Sequence, residues 1–105
     1  MRKIEKTVCG AFVSGLSASQ SNTFTTGEEL YLHGHCIAYR DINGNIFVSN
    51  CGWETRTTQS RINAVCRLLG MRSKAFTKNF DMYIENMEGD NIPFDGYVQI
   101  WGEAA

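Results

Sequence analysis

Few side chains in this sequence have reactive potential. A cysteine nucleophile needs a base within hydrogen-bond reach and a third group to orient that base. His33 or His35 with Cys36 or Cys51 is the one combination that offers it. The same two histidines, alternate residues of one strand, could bind a metal from one face. Cys36 would then point the other way, leaving Cys51 or a distant acid as third ligand. Four-ligand zinc sites ordinarily carry closely spaced ligand pairs, and the cysteines at 9, 36, 51 and 66 include no C-x-x-C. Free thiols in a reducing compartment are expected, with Cys66 a core residue. Packing on a sheet face accounts equally well for both histidines, so the expectation is no catalytic residue, no metal and no cofactor.

The stretch from Trp53 to Arg67 offers anion binding instead. A helix N-terminus presents unpaired N–H groups and a partial positive charge, which hold phosphate or carboxylate. Thr55, Thr57, Thr58 and Ser60 supply hydroxyls there, Arg56 and Arg61 supply guanidiniums, and Trp53 offers a ring on which a base can stack. Gly52 permits close backbone approach. On a helical wheel Arg61 lies beside the apolar stripe, Asn63 flanks its other side, and Arg67 points to solvent. The candidate binding residues are therefore Trp53, Arg56, Thr57, Thr58, Arg61 and Arg67. No Gly-x-x-x-x-Gly-Lys is present, so nucleotide hydrolysis is not suggested. The plainer alternative makes the threonines caps, Trp53 a core aromatic and the arginines a solvated helix face.

Holding these residues in place requires a helix, and residues 58–69 read as one with both ends marked. Thr57 or Thr58 caps the start. Ile62, Val65, Cys66 and Leu69 fall at i, i+3, i+4 and i+7, and Gly70 stands where a left-handed residue closes a helix. The rest reads as strand and turn. Ile4 to Ser14 forms a first strand, with Ile4, Val8 and Phe12 on one face. Residues 16–29, rich in Ser and Thr and without a period, form a long loop pinned by Phe24. Leu30 to Tyr39 is one continuous strand. Leu30, Leu32, Gly34, Cys36 and Ala38 share its helix-facing side, with Tyr31, His33, His35, Ile37 and Tyr39 opposite. Asn43-Gly44 turns a hairpin into a third strand, Ile46 to Asn50. Met71 to Asn79 is a loop or short edge strand, Phe80, Met82 and Ile84 line one face of a fourth strand, and Gly96 to Trp101 is a fifth. The expected fold is α+β: an antiparallel sheet of four to five strands with one helix (about 58–69) packed on one face. That helix would bury its stripe against Leu32, Cys36 and Val48.

A chain of 105 residues is a single domain over 1–105, with a folded surface of about 6,000 Å² by size scaling. No apolar run approaches a membrane span and the first six residues lack a secretory signal, so a cytoplasmic, non-membrane setting is expected. The net charge of −1 hides a segregation. Residues 1–50 balance. Residues 51–80 carry Arg56, Arg61, Arg67, Arg72, Lys74 and Lys78 against Glu54 alone, while residues 81–105 carry Asp81, Glu85, Glu88, Asp90, Asp95 and Glu103 with no base. Either the two segments neutralise each other or they leave a two-faced surface that steers a charged partner. Six carboxylates also raise the idea of a nucleic-acid mimic, against which a solvated sheet edge is the plainer reading.

The middle of the chain carries a resemblance. Leu30-Tyr31-x-His33-x-x-x-Ile37-Ala38, then Gly44-x-Ile46-x-Val48, then Trp53-x-Thr55-x-Thr57-Thr58-x-x-Arg61-Ile62-Asn63, resembles a class of small proteins from phages and mobile elements. Those proteins share a Tyr-rich strand, a hairpin and a Ser/Thr-x-Thr-Thr helix start. The likeness spans about residues 30–63. It implies a phage setting and, by association, a protein that binds and inhibits or modulates a host protein or nucleoprotein complex, for example as an anti-CRISPR or other counter-defence inhibitor. A nucleic-acid or nucleotide module built on the helix start, around Thr57–Arg61, is the alternative. Leu68 at the stripe margin and Trp101 near an edge leave a homodimer open.

Overall fold

The computed structural model of the chain describes residues 1–103. A first helix, α1, starts as a π-type turn over Glu5–Cys9 and continues as an α-helical turn over Gly10–Val13. A meander follows: β1 (Ala18–Gln20), β2 (Thr23–Thr25), β3 (Glu29–Leu32), β4 (His35–Arg40) and β5 (Ile46–Val48). After β5 come helix α2 (Arg56–Leu68) and a three-stranded antiparallel sheet of β6 (Ala75–Lys78), β7 (Asp81–Glu85) and β8 (Asn91–Pro93). The last strand, β9 (Val98–Trp101), returns beside β5 to complete a six-stranded antiparallel sheet ordered β1-β2-β3-β4-β5-β9. The class is α+β. Its strands divide six and three rather than forming one sheet of four or five, and its helix has a companion.

The core lies between the helices and one face of the large sheet. Val8, Cys9 and Phe12 of α1 and Ile62, Val65 and Cys66 of α2 are fully buried, together with Leu30, Ala38 and Val48 from β3 to β5. Met82 and Ile84 of the small sheet join the same cluster. Burial pushes the Cys9 thiol up to about 12, with the Glu5 carboxylate adding to it, and the Cys66 thiol up to about 11. Both behave as small apolar side chains.

Helix α2 matches its sequence signals closely. Its cap is Thr55, whose hydroxyl accepts from the Thr58 amide at 3.2 Å, two or three residues before the expected Thr57 or Thr58. At the other end Gly70 takes φ +84°, and the Gly70 and Met71 amides donate to Arg67 and Cys66, closing the last turn. Asn63 fastens the small sheet to the helix. Its amide nitrogen donates to the Ala75 carbonyl at 2.8 Å, and its oxygen accepts from the Lys74 and Ala75 amides at 3.1 and 2.9 Å.

Five expectations are corrected. Residues 4–14 are helix, not strand: a spacing of four puts Val8 and Phe12 on one face either way, but Lys6 and Gly10 fit only the helical arrangement. Residues 16–29 contain the β1–β2 hairpin, whose inward positions are threonines rather than aliphatics. Thr23 and Thr25 are buried, and the Thr25 hydroxyl donates to the Glu29 carbonyl at 2.7 Å. The strand Leu30–Tyr39 is interrupted by a two-residue turn at His33-Gly34, with φ of +52° and +80°, and a bulge then lets both Ile37 and Ala38 face the core. Cys36, expected under the helix, lies instead on the outer face. Phe80 leaves the face of Met82 and Ile84 altogether and sits in the turn before β7, 96% exposed.

Candidate functional site

The turn Asn50-Cys51-Gly52 sets the entry to α2. Cys51 and Gly52 both have positive φ, the Gly52 amide donates to the Asn50 side chain at 2.9 Å, and the Trp53 amide donates to the Asn50 carbonyl at 2.8 Å. Asn50 is itself buried, its amide nitrogen donating to the Phe94 carbonyl at 3.3 Å. Trp53 is thereby held half-exposed, its ring 5.5 Å from that of His35. Between this ring, the β3–β4 turn and the start of α2 lies a cleft of about 300 Å³ with an apolar floor of Leu32 and Ile37 and a rim of Thr55, Thr57 and His33.

The six residues expected to form one binding corner do not converge. Trp53, Thr57 and Thr58 line the cleft. Arg56 and Arg67 line a separate groove of about 440 Å³ along the solvent side of α2, with Met1, Gln59, Asn63 and Ser73. Arg61 belongs to neither: it is 3% exposed and paired at 2.7 Å with Glu5 of α1. Its Nε donates to the Thr23 hydroxyl at 3.1 Å, while Ser60 donates to the same Glu5 carboxylate at 2.5 Å. Burial alone would raise the Glu5 pKa, but the Ser60 hydroxyl, the Arg61 guanidinium and the Arg2 amide together hold it below the usual glutamate value. Thr58 is also buried, its hydroxyl 3.0 Å from that of Thr55. Arg61 and Thr58 are structural members of the helix start, and Arg61 is unavailable to an incoming anion.

Cys36 and Cys51 lie close together, but among the described residues no hydrogen bond joins either thiol to His33 or His35. His33 sits in a turn and His35 begins β4, so the two are not alternate residues of one strand. The Cys51 thiol donates to the Cys36 carbonyl at 3.0 Å, and the Tyr97 hydroxyl donates to the same carbonyl at 2.7 Å. Burial raises the Cys36 thiol above its ordinary value, which disfavours the thiolate that nucleophilic chemistry requires. Among the described residues no three His, Cys, Asp or Glu side chains gather within reach of one metal ion. The charge segregation is partly cancelled within the fold, since Arg72 and Lys74 both reach Glu85, at 2.9 and 3.7 Å.

A surface not anticipated from the sequence stands on the other side of the large sheet. The register aligns Phe24, Tyr31 and Cys36 across β2–β4, and Glu29, Tyr39, Phe47 and Gln99 across β3, β4, β5 and β9. Phe24 stacks on Tyr31 with ring centroids 4.6 Å apart, Tyr39 stacks on Phe47 at 5.1 Å, and Tyr97 meets Tyr39 edge-on at 5.1 Å. Phe24 therefore pins the hairpin, as expected, but from the outside. Glu29 is the one charged strand residue of this face among the described residues. The other charged side chain of these strands, Arg40, turns to the helix side, donating to the Gly27 and Phe12 carbonyls at 2.6 and 2.9 Å. The available sequence signal was Tyr31 and Tyr39 on one side of a strand; the alignment of Phe24, Phe47 and Tyr97 beside them depends on strand pairing that local spacing does not encode.

No helix among the described residues is long and apolar enough to cross a membrane. No curated protein and no solved structure matches the chain. A family model does match, over residues 1–100. The chain belongs to the Kyanoviridae Gp96 protein family, a family of phage proteins.

Proposed function

We propose that this phage protein is a non-enzymatic binding protein that inhibits or modulates a host complex, such as a CRISPR effector or another defence assembly. Its proposed contact surface is the outer face of the six-stranded sheet. The observation that carries this reading is the set of paired aromatics on that face, Phe24 with Tyr31 and Tyr39 with Phe47 and Tyr97, of which Phe24 and Tyr97 are exposed and the other three half-buried against their neighbours. Contiguous exposed aromatic area marks interaction surfaces, where Tyr and Phe supply large contact area at small entropic cost. The charge of the face favours a protein partner. A single-stranded nucleic acid would use such rings for stacking but also requires cations along its backbone, whereas the charged strand residue here is Glu29.

The test is a double substitution, Tyr39→Thr with Phe47→Thr, which keeps strand-compatible residues while removing the central stack. Capture of a host complex by the wild-type chain at moderate salt, at least tenfold weaker capture by the variant, and melting temperatures within a few degrees of each other are the expected results. Equal capture by both proteins, or no captured partner at all, sinks the reading. A second reading, nucleic-acid binding, is favoured by the groove holding Arg56 and Arg67 beside Gln59 and Asn63. It replaces the helix-start corner, from which Arg61 is withdrawn.

A further inference from the structure

The β6–β7 hairpin closes through two residues, Asn79 and Phe80, between the paired Lys78 and Asp81. Both turn residues have positive φ, +52° and +71°. Asn is suited to the first position of such a turn, but the second strongly favours glycine, because a side chain there crowds the backbone. The chain obeys this rule elsewhere: the equivalent turn between β3 and β4 is His33-Gly34, with glycine in second place at φ +80°. At position 80 the same backbone carries a phenylalanine with 96% of its surface in solvent. The free protein thus pays twice, in backbone strain and in apolar exposure, with no internal contact to compensate. Strain of this kind at an exposed tip points to function.

We propose that Phe80 is an anchor, inserted into a preformed apolar socket of a partner protein whose rim carries both charge signs, opposite Lys78 and Asp81. The proposal rests on the binding-protein reading and adds a contact site outside the sheet face. A lipid surface is disfavoured, because interfacial insertion relies on several apolar side chains above a basic rim, and this tip presents one ring between charges that cancel. The turn fixes the backbone that carries the ring, so the ordering lost on docking is confined to the side chain.

The test uses the photo-crosslinking analogue benzoylphenylalanine at position 80, and separately at Tyr31 on the sheet face, in a lysate of the phage's host. The expected result is a discrete adduct from position 80, suppressed by excess unlabelled wild-type protein but requiring at least tenfold more of a Phe80→Gly competitor. The same Phe80→Gly protein should melt higher than wild type, by about 2–4 °C, because glycine relieves the turn. Opposite signs for stability and binding are what separate an anchor from a structural residue. An adduct from position 31 that both competitors suppress equally, with none from 80, overturns the anchor while leaving the sheet-face reading intact. No competable adduct from either position overturns both. Adducts of dimer mass only, Phe80-dependent pelleting with vesicles of neutral and anionic phospholipid, or a lower melting temperature for Phe80→Gly each overturn the anchor as well.

Discussion

Arg61 shows what one residue's position can and cannot reveal. The wheel puts it at the margin of the apolar stripe, which the fold confirms. Its partner Glu5 lies 56 residues away on a segment whose own spacing suits two secondary structures, so the pair could not be read locally. Buried charges persist only when paired and hydrogen-bonded, and here the carboxylate and guanidinium are 2% and 4% exposed. Glu5→Gln should therefore cost about 3–5 kcal/mol in urea unfolding, because it leaves an uncompensated guanidinium inside. Replacing both, Glu5→Leu with Arg61→Met, should cost less than that single change. The pH dependence has a definite sign. A carboxyl whose folded pKa is lowered contributes its full stability above the ordinary glutamate value of 4.5 and loses it as pH falls below that value towards the lower, folded one. Wild-type stability should decline through that acidic window, and the double variant should decline less.

At the scale of elements, legibility followed the number of independent signals. Helix α2 had a periodic stripe, hydroxyl residues before it and a glycine after it, and it formed within a turn of its expected limits. Helix α1 had one ambiguous spacing and no cap, since neither Ile4 nor Cys9 provides a side-chain hydrogen bond to its start. The β1–β2 hairpin was hidden because its buried positions are threonines that pair by hydroxyl rather than by apolar contact. The link between α2 and β6 was hidden because it is made by a polar residue, Asn63, that a wheel sends to the flank. Asn63→Ala removes the partner of one carbonyl and two amides. These bonds are part-buried, so water replaces some of them; the loss falls below the sum of about 1–3 kcal/mol for each fully buried group left unsatisfied, and the variant should lose about 2–4 kcal/mol. Amide exchange should accelerate in residues 75–85 well before it does in β3–β5. Thr55→Ala, which removes only the cap, should cost about 1 kcal/mol and leave the small sheet's protection unchanged.

The molecule as a whole presents two unlike faces, an aromatic sheet face bearing one carboxylate and a helical side whose groove bears Arg56 and Arg67. The first half was harder to read than the second, because helix faces repeat within a few residues whereas a sheet face is assembled from strands far apart in sequence. The two faces make separable predictions through salt. Contacts made by the aromatic face depend on buried apolar area, so partner capture through Tyr39 and Phe47 should change little between low and moderate ionic strength. Binding of a nucleic acid along the α2 groove would instead release counterions, and its affinity should fall with salt in proportion to the phosphates neutralised. Arg56→Ala with Arg67→Ala should then reduce the log–log salt slope on a single strand by about 1.4, the share of two phosphate contacts, and should leave folding intact because neither guanidinium is paired with a carboxylate among the described residues. Fluorescence anisotropy with a labelled single strand over a salt series reads this directly. A slope that the double variant leaves unchanged assigns the groove no role in nucleic-acid binding, and salt-independent capture abolished by Tyr39→Thr with Phe47→Thr then places recognition on the sheet.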